Sequence, residues 1–382
     1  VCSSDLVAKM TFGNGIGAEL TAKLDFYQER YFAFVIEHTE ALPKNLHAKA
    51  IGRTHTGNTL AFDGKSHALA ALQAAWQGTL EPVYPTQPEI EAGGSTLLDL
   101  PFFLCEDRLQ KARTRAAKPL VIIPSFPGTN SEYDSAKAFR EAGTEAEILV
   151  FRNLTAAHIE ESLTALAEKI RQSQILMLPG GFSAGDEPDG SAKFIATIIR
   201  NPRIADAIMD LLKNRDGLIL GICNGFQALI KTGLVPFGEI REPAADAPTL
   251  VHNDIGRHIS CYANTQIVST LSPWFHNSEA GDIHAVPFSH GEGRFFASEE
   301  TIGELARNGQ IATQYCDEHG NASMDIAINP NGSIAAIEGI TSPCGRVLGK
   351  MGHTERRGSQ VAKNIPGVKH QPLFKAGVAY FA

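Results

Sequence analysis

A cysteine at position 223 lies between two glycines, each two residues away, in the sequence GLILGICNGFQALIK. Residues 218–222 form an apolar run typical of a buried parallel strand, and residues 224–231, which end before Gly233, are typical of a helix. The paired glycines permit a tight strand-to-helix turn that presents a nucleophile, and the helix dipole favours a thiolate there. Cys223 is therefore a candidate nucleophile, with a buried structural cysteine as the alternative.

A cysteine nucleophile needs a base, and the base needs a group that orients it. His353 and Glu355 are two residues apart in the sequence GKMGHTERR, and in an extended segment this spacing places both side chains on one face. Glu355 would accept a hydrogen bond from one imidazole nitrogen while the other nitrogen faces Cys223. The alternative is a surface His-x-Glu pair without a catalytic role.

The third component of such a site is a pair of N–H donors for the oxygen of a tetrahedral intermediate. The sequence PGGFS at 179–183 follows a predicted strand, so the backbone N–H of Gly181 or of Phe182 is one candidate. The N–H of Asn224, directly after the nucleophile, is the other. For the glycine pair, an ordinary tight turn between strand and helix is the alternative.

Alternating strand and helix patterns begin at position 119 and predict the frame for these residues. Strands are predicted at 120–123, 148–151, 175–178 and 218–222, and helices at 131–142, 156–170 and from 191, with an interruption at 201–202. This alternation predicts a doubly wound, mostly parallel sheet, in which ligands bind beyond the carboxyl ends of the strands. Gly181 and Cys223 both follow such ends and can share one crevice.

The last third of the chain is richer in strand patterns. Strands are predicted at 259–269, 284–296, 310–315 and 334–340, with one helix at 299–308 and an irregular tail after the segment that carries His353.

The first part of the chain predicts a separate unit at residues 7–83, with strands at 31–36 and 59–62 and an amphipathic helix at 66–77. Residues 84–117 are rich in proline and predict a linker. Its basic run at 108–115 is interpreted as a solvated face, with domain docking as the alternative. The chain begins with Val1, and residues 1–6 match what a sequencing adapter would encode, so we interpret them as an artefact at the start of a C-terminal piece.

Composition narrows the class of protein. The 382 residues are 43% hydrophobic and 20% charged, enough for two or three globular domains. A net charge of -8 argues against nucleic acid or an anionic membrane as the main partner. The six cysteines are scattered without CxxC spacing, which favours reduced thiols over a disulfide framework or a metal site. With no apolar run near ~20 residues, we expect a cytoplasmic protein without a membrane partner.

Five segments within residues 118–382 resemble one family: FPGTNSEYDSAKAF, LPGGFSAGDEPDGSAKF, GICNGFQALIKTGLVP, SHGEGRF and GKMGHTER. They are similar to the glutamine amidotransferase domain of phosphoribosylformylglycinamidine synthases of the large, single-chain form. The resemblance implies a flavodoxin-like α/β fold of the class I amidotransferases at 118–382. Residues 7–83, with IGRTHTGN, and the later AAWQGTLEPV are similar to the end of the ATP-dependent synthetase region, which implies a small α+β remnant ahead of the amidotransferase domain.

The resemblance also implies a reaction. Cys223 would attack the carboxamide of L-glutamine, with His353 as general base and then acid and Glu355 orienting it. Gly181 and Asn224 would serve the oxyanion. The γ-glutamyl thioester would be hydrolysed, and ammonia would pass to the synthetase region, which makes formylglycinamidine ribonucleotide from formylglycinamide ribonucleotide in purine biosynthesis.

Further roles are implied by the same resemblance. Gln227, Ser289 and His290 would line the glutamine pocket, although a structural role beside a glycine turn is the alternative for His290. Two positions depart from the pattern of the wider family. Thr354 lies between His353 and Glu355, where many relatives have proline, and Ser131 stands where some relatives have cysteine. Neither change affects Cys223, His353 or Glu355.

The implied partners follow from what this sequence contains. No cofactor or metal is expected in this piece, whereas ATP and Mg²⁺ are expected in the synthetase region of the full-length ligase. The piece alone would be at most a weak glutaminase. Two rival functions stay open: a cysteine hydrolase of γ-glutamyl compounds with the same fold, and a non-catalytic scaffold.

Overall fold

The computed structural model describes residues 3–13, 15–22, 25, 28, 32–43, 45–79, 98, 100–106, 111–186, 191–244 and 246–382. Within it the chain divides into two compact units, Val1–Gln87 and Pro88–Ala382. Most of the predicted linker and the first half of its basic run lie outside the described residues.

The first unit is a small α+β fold. Its elements are α1 (Ser3–Phe12), β1 (Gly17–Leu20), β2 (Gly52–His55), β3 (Thr59–Phe62), β4 (Lys65–Ala68) and α2 (Leu69–Gly78). The strands form a four-stranded sheet in the order β2-β1-β3-β4, in which β1 and β3 are parallel. Its buried apolar side chains are those of Val7, Ala18, Leu20, Leu60 and Leu69.

Two predictions for this unit are wrong. Residues 32–36 form no strand, and Phe32 and Phe34 are 98% and 88% exposed, because no strand among the described residues pairs with this apolar run. The helix predicted at 66–77 begins only at Leu69, since the preceding residues form β4 in a hairpin with β3. The hairpin turns at Asp63 and Gly64, both with positive φ, and this Asp-Gly pair is the sequence signal that could have revealed it.

The second unit begins with alternating strands and helices. They are β5 (Leu120–Ser125), α3 (Glu132–Glu141), β6 (Glu145–Val150), α4 (Ala156–Gln172), β7 (Ile175–Leu178), α5 (Lys193–Arg200), α6 (Pro202–Lys213), β8 (Leu218–Ile222), α7 (Asn224–Thr232) and the single turn α8 (Leu234–Phe237). The later elements are β9 (Thr249–His252), β10 (Ile259–Ile267), β11 (Ile283–His290), β12 (Glu292–Phe296), α9 (Glu299–Arg307), β13 (Ile311–Cys316), β14 (Ile337–Thr341), β15 (Val347–Lys350) and α10 (Leu373–Ala379).

Nine strands of the described residues form one mixed sheet in the order β11-β10-β13-β14-β15-β8-β7-β5-β6. The five strands from β15 to β6 are parallel, and β14, β13, β10 and β11 extend the sheet in antiparallel fashion. Strands β9 and β12 form a separate antiparallel pair. The predicted α/β fold class is confirmed, and the β-rich last third is the antiparallel continuation of the same sheet.

Local sequence explains where the helices of the parallel part begin and end. The Thr155 side chain accepts a hydrogen bond from the N–H of His158 at the start of α4, and Asn201 does the same for Arg203 ahead of the proline that opens α6. Gly233 ends α7 with a φ of 82°. Helices α4, α6, α5 and α7 pack on one another in succession, while α3 packs against α10. Every residue of β7, β8 and β15 is buried, as expected for strands covered on both faces.

Three predictions for the last third need correction. The run at 284–296 forms two strands, β11 and β12, separated at Gly291, and the run at 334–340 starts as a 3-10 turn before β14. The tail predicted as irregular contains α10, whose Leu373 and Phe374 are buried. This short helix depends on its tertiary contacts, since seven residues give little helical stability on their own.

The described end of the basic run packs against other parts of the second unit, to which it belongs. The N–H groups of Ala112 and Ala116 donate to the carbonyls of Tyr380 and Phe381, both at 3.0 Å. Arg113 forms a bidentate ion pair with Asp216, with Nε–Oδ2 and Nη2–Oδ1 distances of 2.6 and 2.8 Å. The interpretation of a wholly solvated face therefore does not hold for residues 111–116, while docking between domains stays a prediction.

No helix within the described ranges combines the length and apolar character needed to cross a bilayer.

Gly349 of β15 provides a test of the packing between the sheet and α7. A Cβ at this position would overlap the ring of Phe226 and lie 2.7 Å from its Cε2 atom. We expect Gly349→Ala to lower the free energy of unfolding by about 1–3 kcal/mol, because the buried ring has nowhere to move. Gly303→Ala is the control, since its Cβ would meet only the end of the Arg307 side chain at 3.4 Å. Urea unfolding measures both, and equal stabilities would contradict this packing.

Candidate active site

Three neighbouring parallel strands bring the candidate residues to one edge of the sheet. Strand β8 pairs with β7 on one side, with Leu178 opposite Gly221, and with β15 on the other, with Lys350 opposite Ile222. The carboxyl ends of parallel neighbours lie at the same edge. The cysteine after β8, the glycine turn after β7 and the histidine shortly after β15 therefore meet there.

Cys223 occupies a strained turn between β8 and α7. Its φ and ψ are 52° and −106°, a combination that a non-glycine residue adopts only when its surroundings enforce it. The enforcement comes from packing at the two glycines: a Cβ on Gly225 would overlap the carbonyl of Leu178, and one on Gly221 would lie 2.5 Å from Leu229 Cδ1. The predicted nucleophile turn is thus present, and the cysteine is 4% exposed.

His353 and Glu355 form a buried pair next to this cysteine. Glu355 Oε1 lies 2.6 Å from His353 Nδ1, and the two residues are 3% and 2% exposed. The imidazole also lies close enough to Cys223 for the sulfur to contribute to the raised pKa of His353. The geometric premise for the pair was wrong, because the two residues lie in a tight turn and not in an extended segment. The backbone N–H of His353 donates to the carbonyl of Pro287 at 2.9 Å, which anchors this turn to β11.

The charges of these three residues depend on one another. Burial by itself lowers the pKa of His353, but the Glu355 carboxylate and the Cys223 sulfur outweigh burial and raise it to about 9. Burial by itself raises the pKa of Glu355, yet the neighbouring imidazole brings it below its ordinary value. The arrangement therefore favours an imidazolium held between a carboxylate and the sulfur at neutral pH.

Two of the N–H groups predicted to bind an oxyanion have no hydrogen-bond acceptor among the described residues. The N–H of Phe182, one of the predicted alternatives, donates to the carbonyl of Gly128 at 2.9 Å. Gly181 has a φ of 150°, and its N–H has no partner within the described part of the chain. The N–H of Asn224 lies in the first turn of α7, where no carbonyl of the same helix can accept it.

The side chain of Asn224 connects the start of α7 to the loop that follows Gly181. Its Oδ1 accepts from the N–H of Ser183 at 3.2 Å, and its Nδ2 donates to Asp186 Oδ2 at 2.9 Å and to Gln227 Oε1 at 2.8 Å. Burial raises the pKa of Asp186. Sequence reasoning missed Asp186, although it ends the motif GFSAGD. It also gave Ser131 no role, whereas Ser131 Oγ accepts from the N–H of Gly180 at 2.8 Å.

The residues predicted to line the glutamine pocket lie in different settings. Gln227 is 3% exposed, and besides Asn224 its amide contacts the backbone carbonyl of Glu292. The carbonyl of Ser289 accepts from Cys223 Sγ at 3.7 Å, and its hydroxyl lies 3.0 Å from His258 Nε2. Ser289 is therefore the member of this set that directly contacts the sulfur in the described structure.

His290 is buried behind this contact. Its Nδ1 lies 3.1 Å from Asn253 Oδ1, and its Nε2 has no hydrogen-bond partner among the described residues. Burial, followed by the charges of His353 and His258, lowers the pKa of His290 to about 3. A neutral ring whose Nδ1 donates to Asn253 leaves Nε2 as an acceptor.

Most of the second unit is similar to known proteins. The family model of the CobB/CobQ-like glutamine amidotransferase domain matches residues 118–381. The phosphoribosylformylglycinamidine synthase subunit PurQ of Methanococcus maripaludis strain C5 is 36% identical over 248 residues, which cover 62% of this chain and 83% of the relative. The PurQ subunit of Sulfurimonas denitrificans is 32% identical over 251 residues, 65% of this chain and 96% of the relative.

A solved structure supports the fold. The structure of PurLQS from Thermotoga maritima contains a chain that is matched along its whole length. The match covers 69% of the present chain, with a TM-score of 0.50 and 24% sequence identity. At that identity the likeness extends to the fold alone.

The His353–Glu355 pair makes a pH-dependent prediction. We expect Glu355→Gln to move the titration midpoint of His353 below about 9, because the charge that opposes burial most strongly is removed. The midpoint can be followed by NMR of imidazole carbons, with His353→Asn to assign the signal. Glu318→Gln, at a surface His-Glu pair that is 74% and 82% exposed, should leave it unmoved.

The free energy of unfolding should also depend on the protonation of His353. The folded pKa of His353 lies above its ordinary value of 6.5, so its protonation stabilises the fold fully below pH 6.5 and ceases to do so as the pH rises through about 9. Glu355→Gln should reduce this decline. An unchanged midpoint and an unchanged decline would contradict the proposed coupling.

Proposed function

The chain belongs to the CobB/CobQ-like glutamine amidotransferase family, among the glutaminase components of phosphoribosylformylglycinamidine synthase, and on this premise we propose that it hydrolyses L-glutamine to supply ammonia for purine biosynthesis. The observation that supports the proposal most directly is the meeting of Cys223, His353 and Glu355 at the carboxyl edge of the sheet, with a 2.6 Å contact between the last two.

The reaction begins with Cys223 as the nucleophile. His353 holds the thiol proton as the imidazolium that the site favours at neutral pH, and the sulfur attacks the side-chain carboxamide carbon of glutamine as a thiolate. Glu355 accepts from Nδ1, which fixes the imidazole and stabilises the positive charge that the ring acquires. The carboxamide oxygen becomes an oxyanion, and the N–H groups of Gly181 and Asn224 are the donors proposed to bind it.

The second half of the reaction releases both products. The tetrahedral intermediate collapses as His353 returns its proton to the leaving nitrogen, so that ammonia departs and a γ-glutamyl thioester remains on Cys223. Water then attacks the thioester while His353 accepts a proton from it. Collapse of this second intermediate releases glutamate and restores the thiolate of Cys223 beside the imidazolium of His353.

Recognition of glutamine is proposed to involve Gln227, Ser289 and His290. Ser289 is the best supported of the three, because its carbonyl contacts Cys223 Sγ at 3.7 Å. The free Nε2 of His290 is an acceptor suited to a donor group of a ligand, such as an ammonium or amide N–H. Gln227 acts chiefly by holding Asn224, since its amide already contacts Asn224 and Glu292.

The destination of the ammonia is proposed to be a synthetase region. We propose that residues 7–83 are the end of that region, that 84–117 are the linker, that 118–382 are the amidotransferase domain, and that 1–6 are an artefact. The separate compact unit at Val1–Gln87 and the family match at 118–381 support this division. ATP and Mg²⁺ would act in the synthetase region, and we assign them no ligand in this chain.

The compartment is proposed to be the cytoplasm. The described cysteines Cys105, Cys223, Cys261, Cys316 and Cys344 are all free thiols, which suits a reducing environment.

Cys223→Ala tests the proposed nucleophile. We expect it to lower glutaminase activity by about 10³-fold or more and to abolish covalent labelling by a chloroketone analogue of glutamine, because no other group replaces the sulfur. Cys344→Ala is the matched control, since this exposed cysteine lies outside the site. Mass spectrometry locates the label. Activity and labelling that survive in Cys223→Ala would contradict the proposal, and a wild-type chain that shows neither, even with its synthetase region, would favour the scaffold alternative.

Substrate choice separates glutaminase from a hydrolase of γ-glutamyl compounds. We expect kcat/KM for free L-glutamine to exceed that for γ-glutamyl peptides by at least about 100-fold, because a site that binds polar groups of a substrate strongly rejects analogues that leave its own groups unpaired. Release of glutamate from both substrates is measured at one pH. Equal values, or a preference for the peptide, would identify the chain as the rival hydrolase.

A further inference from the structure

A fully buried ion pair lies beneath the turn that carries His353. Lys350 ends β15 and Glu338 lies in β14, and their side chains are both 0% exposed, with Nζ and Oε1 3.5 Å apart. Burying both charges carries a large desolvation cost, and apolar residues often replace such pairs without loss of stability. The contacts of each charged group therefore indicate what the pair does.

The ammonium of Lys350 donates hydrogen bonds to the turn that carries His353. Nζ donates to the carbonyl of Gly352 at 3.0 Å and to the hydroxyl of Thr354 at 2.8 Å, in addition to its ion pair with Glu338. These three partners match the three N–H donors of a lysine. Two of them flank His353 in sequence.

The carboxylate of Glu338 binds the same turn from the other side. Its Oε1 accepts from the N–H of Gly352 at 2.6 Å, and its Oε2 accepts from the hydroxyl of Thr313. Both the N–H and the carbonyl of Gly352 are thus held by the ion pair. The backbone that enters His353 has little freedom to rotate.

Thr354 connects Lys350 to a residue near the end of the chain. Its hydroxyl accepts from Lys350 Nζ and donates to Gln371 Oε1 at 2.9 Å, shortly before α10. Lys350, Thr354 and Gln371 are buried, so water cannot replace these hydrogen bonds without entering the packed interior. The residue after His353 is therefore fixed as firmly as the residue before it.

We propose that Lys350, Glu338 and Thr354 are positioning residues that hold the His353 imidazole in reach of both Cys223 and Glu355. This inference rests on the proposed function, in which His353 transfers the proton. Proton transfer requires hydrogen-bond distances, and a displacement of the base by ~1 Å lowers the rate by about 100-fold. The substrate-binding groups lie on other elements, so the effect falls on kcat more than on KM.

Thr354→Val and Thr354→Ser in the full chain test the role of the hydroxyl. Valine keeps the shape but offers Lys350 no acceptor and Gln371 no donor, whereas serine keeps both. We expect Thr354→Val to lower the kcat of glutaminase by roughly 10-fold with KM changed less than about threefold, and Thr354→Ser to keep at least about half of the wild-type kcat. The His353 midpoint, followed by NMR, should fall below about 9 in the valine variant.

A second variant tests the ion pair if Thr354→Val does not fold. Lys350→Met combined with Glu338→Gln removes both charges at once, while the glutamine still offers an acceptor to Gly352. We expect the same loss of kcat with a melting transition that remains cooperative. Lys169→Met, which breaks the partly exposed pair of Lys169 with Glu147 at 2.8 Å, is the control and should match wild type.

The outcomes separate this inference from the proposed function. Folded Thr354→Val and double variants with wild-type kcat and an unmoved His353 midpoint would overturn the positioning role, as would equal losses in the valine and serine variants. A wild-type chain whose glutamine turnover is insensitive to Cys223→Ala would instead overturn the proposed function. In that case the His353 midpoint still decides the positioning role, since its titration requires no turnover.

Discussion

The parallel pairing of β7, β8 and β15 is the constraint on which the site depends. Backbone hydrogen bonds fix the register of these three strands, and the glycine turn, Cys223 and His353 follow their carboxyl ends. The N–H of Cys223 continues the ladder by donating to the carbonyl of Lys350 at 2.8 Å. A slip of one residue on either side of β8 would reverse the faces of the neighbouring side chains and separate sulfur from imidazole.

Close packing around β8 maintains a backbone geometry that would be unfavourable in isolation. Cys223 holds φ and ψ of 52° and −106°, a strain that persists because Gly225 lies directly against β7 and Gly349 directly against Phe226. At Gly225 the helix backbone meets the backbone of β7 without an intervening side chain, and at Gly349 the backbone of β15 meets the Phe226 ring. The stability of the surrounding core is therefore what presents the sulfur at the edge of the sheet.

Burial strengthens the electrostatic interactions among the charged groups of the site. The pKa of each group therefore depends on its neighbours. Within the low-dielectric interior an imidazolium is unfavourable alone, yet between Glu355 and Cys223 the pKa of His353 rises to about 9. The same reasoning applies one layer deeper, where Lys350 and Glu338 satisfy each other and the backbone of Gly352. Neither pair can lose one member without leaving the other charge uncompensated.

The sequence determined the fold class and most of the residues at the site, because strand and helix patterns and the glycines around Cys223 are local signals. Local patterns failed at residues 32–36, whose strand lacked a partner, and at α10, whose stability comes from buried contacts. Local patterns also could not show that Asp186 accepts a hydrogen bond from Asn224, or that Lys350 donates one to Thr354 next to His353. These contacts join positions far apart in the chain or across a turn, and only tertiary packing, which sets distances and excludes water, decides them.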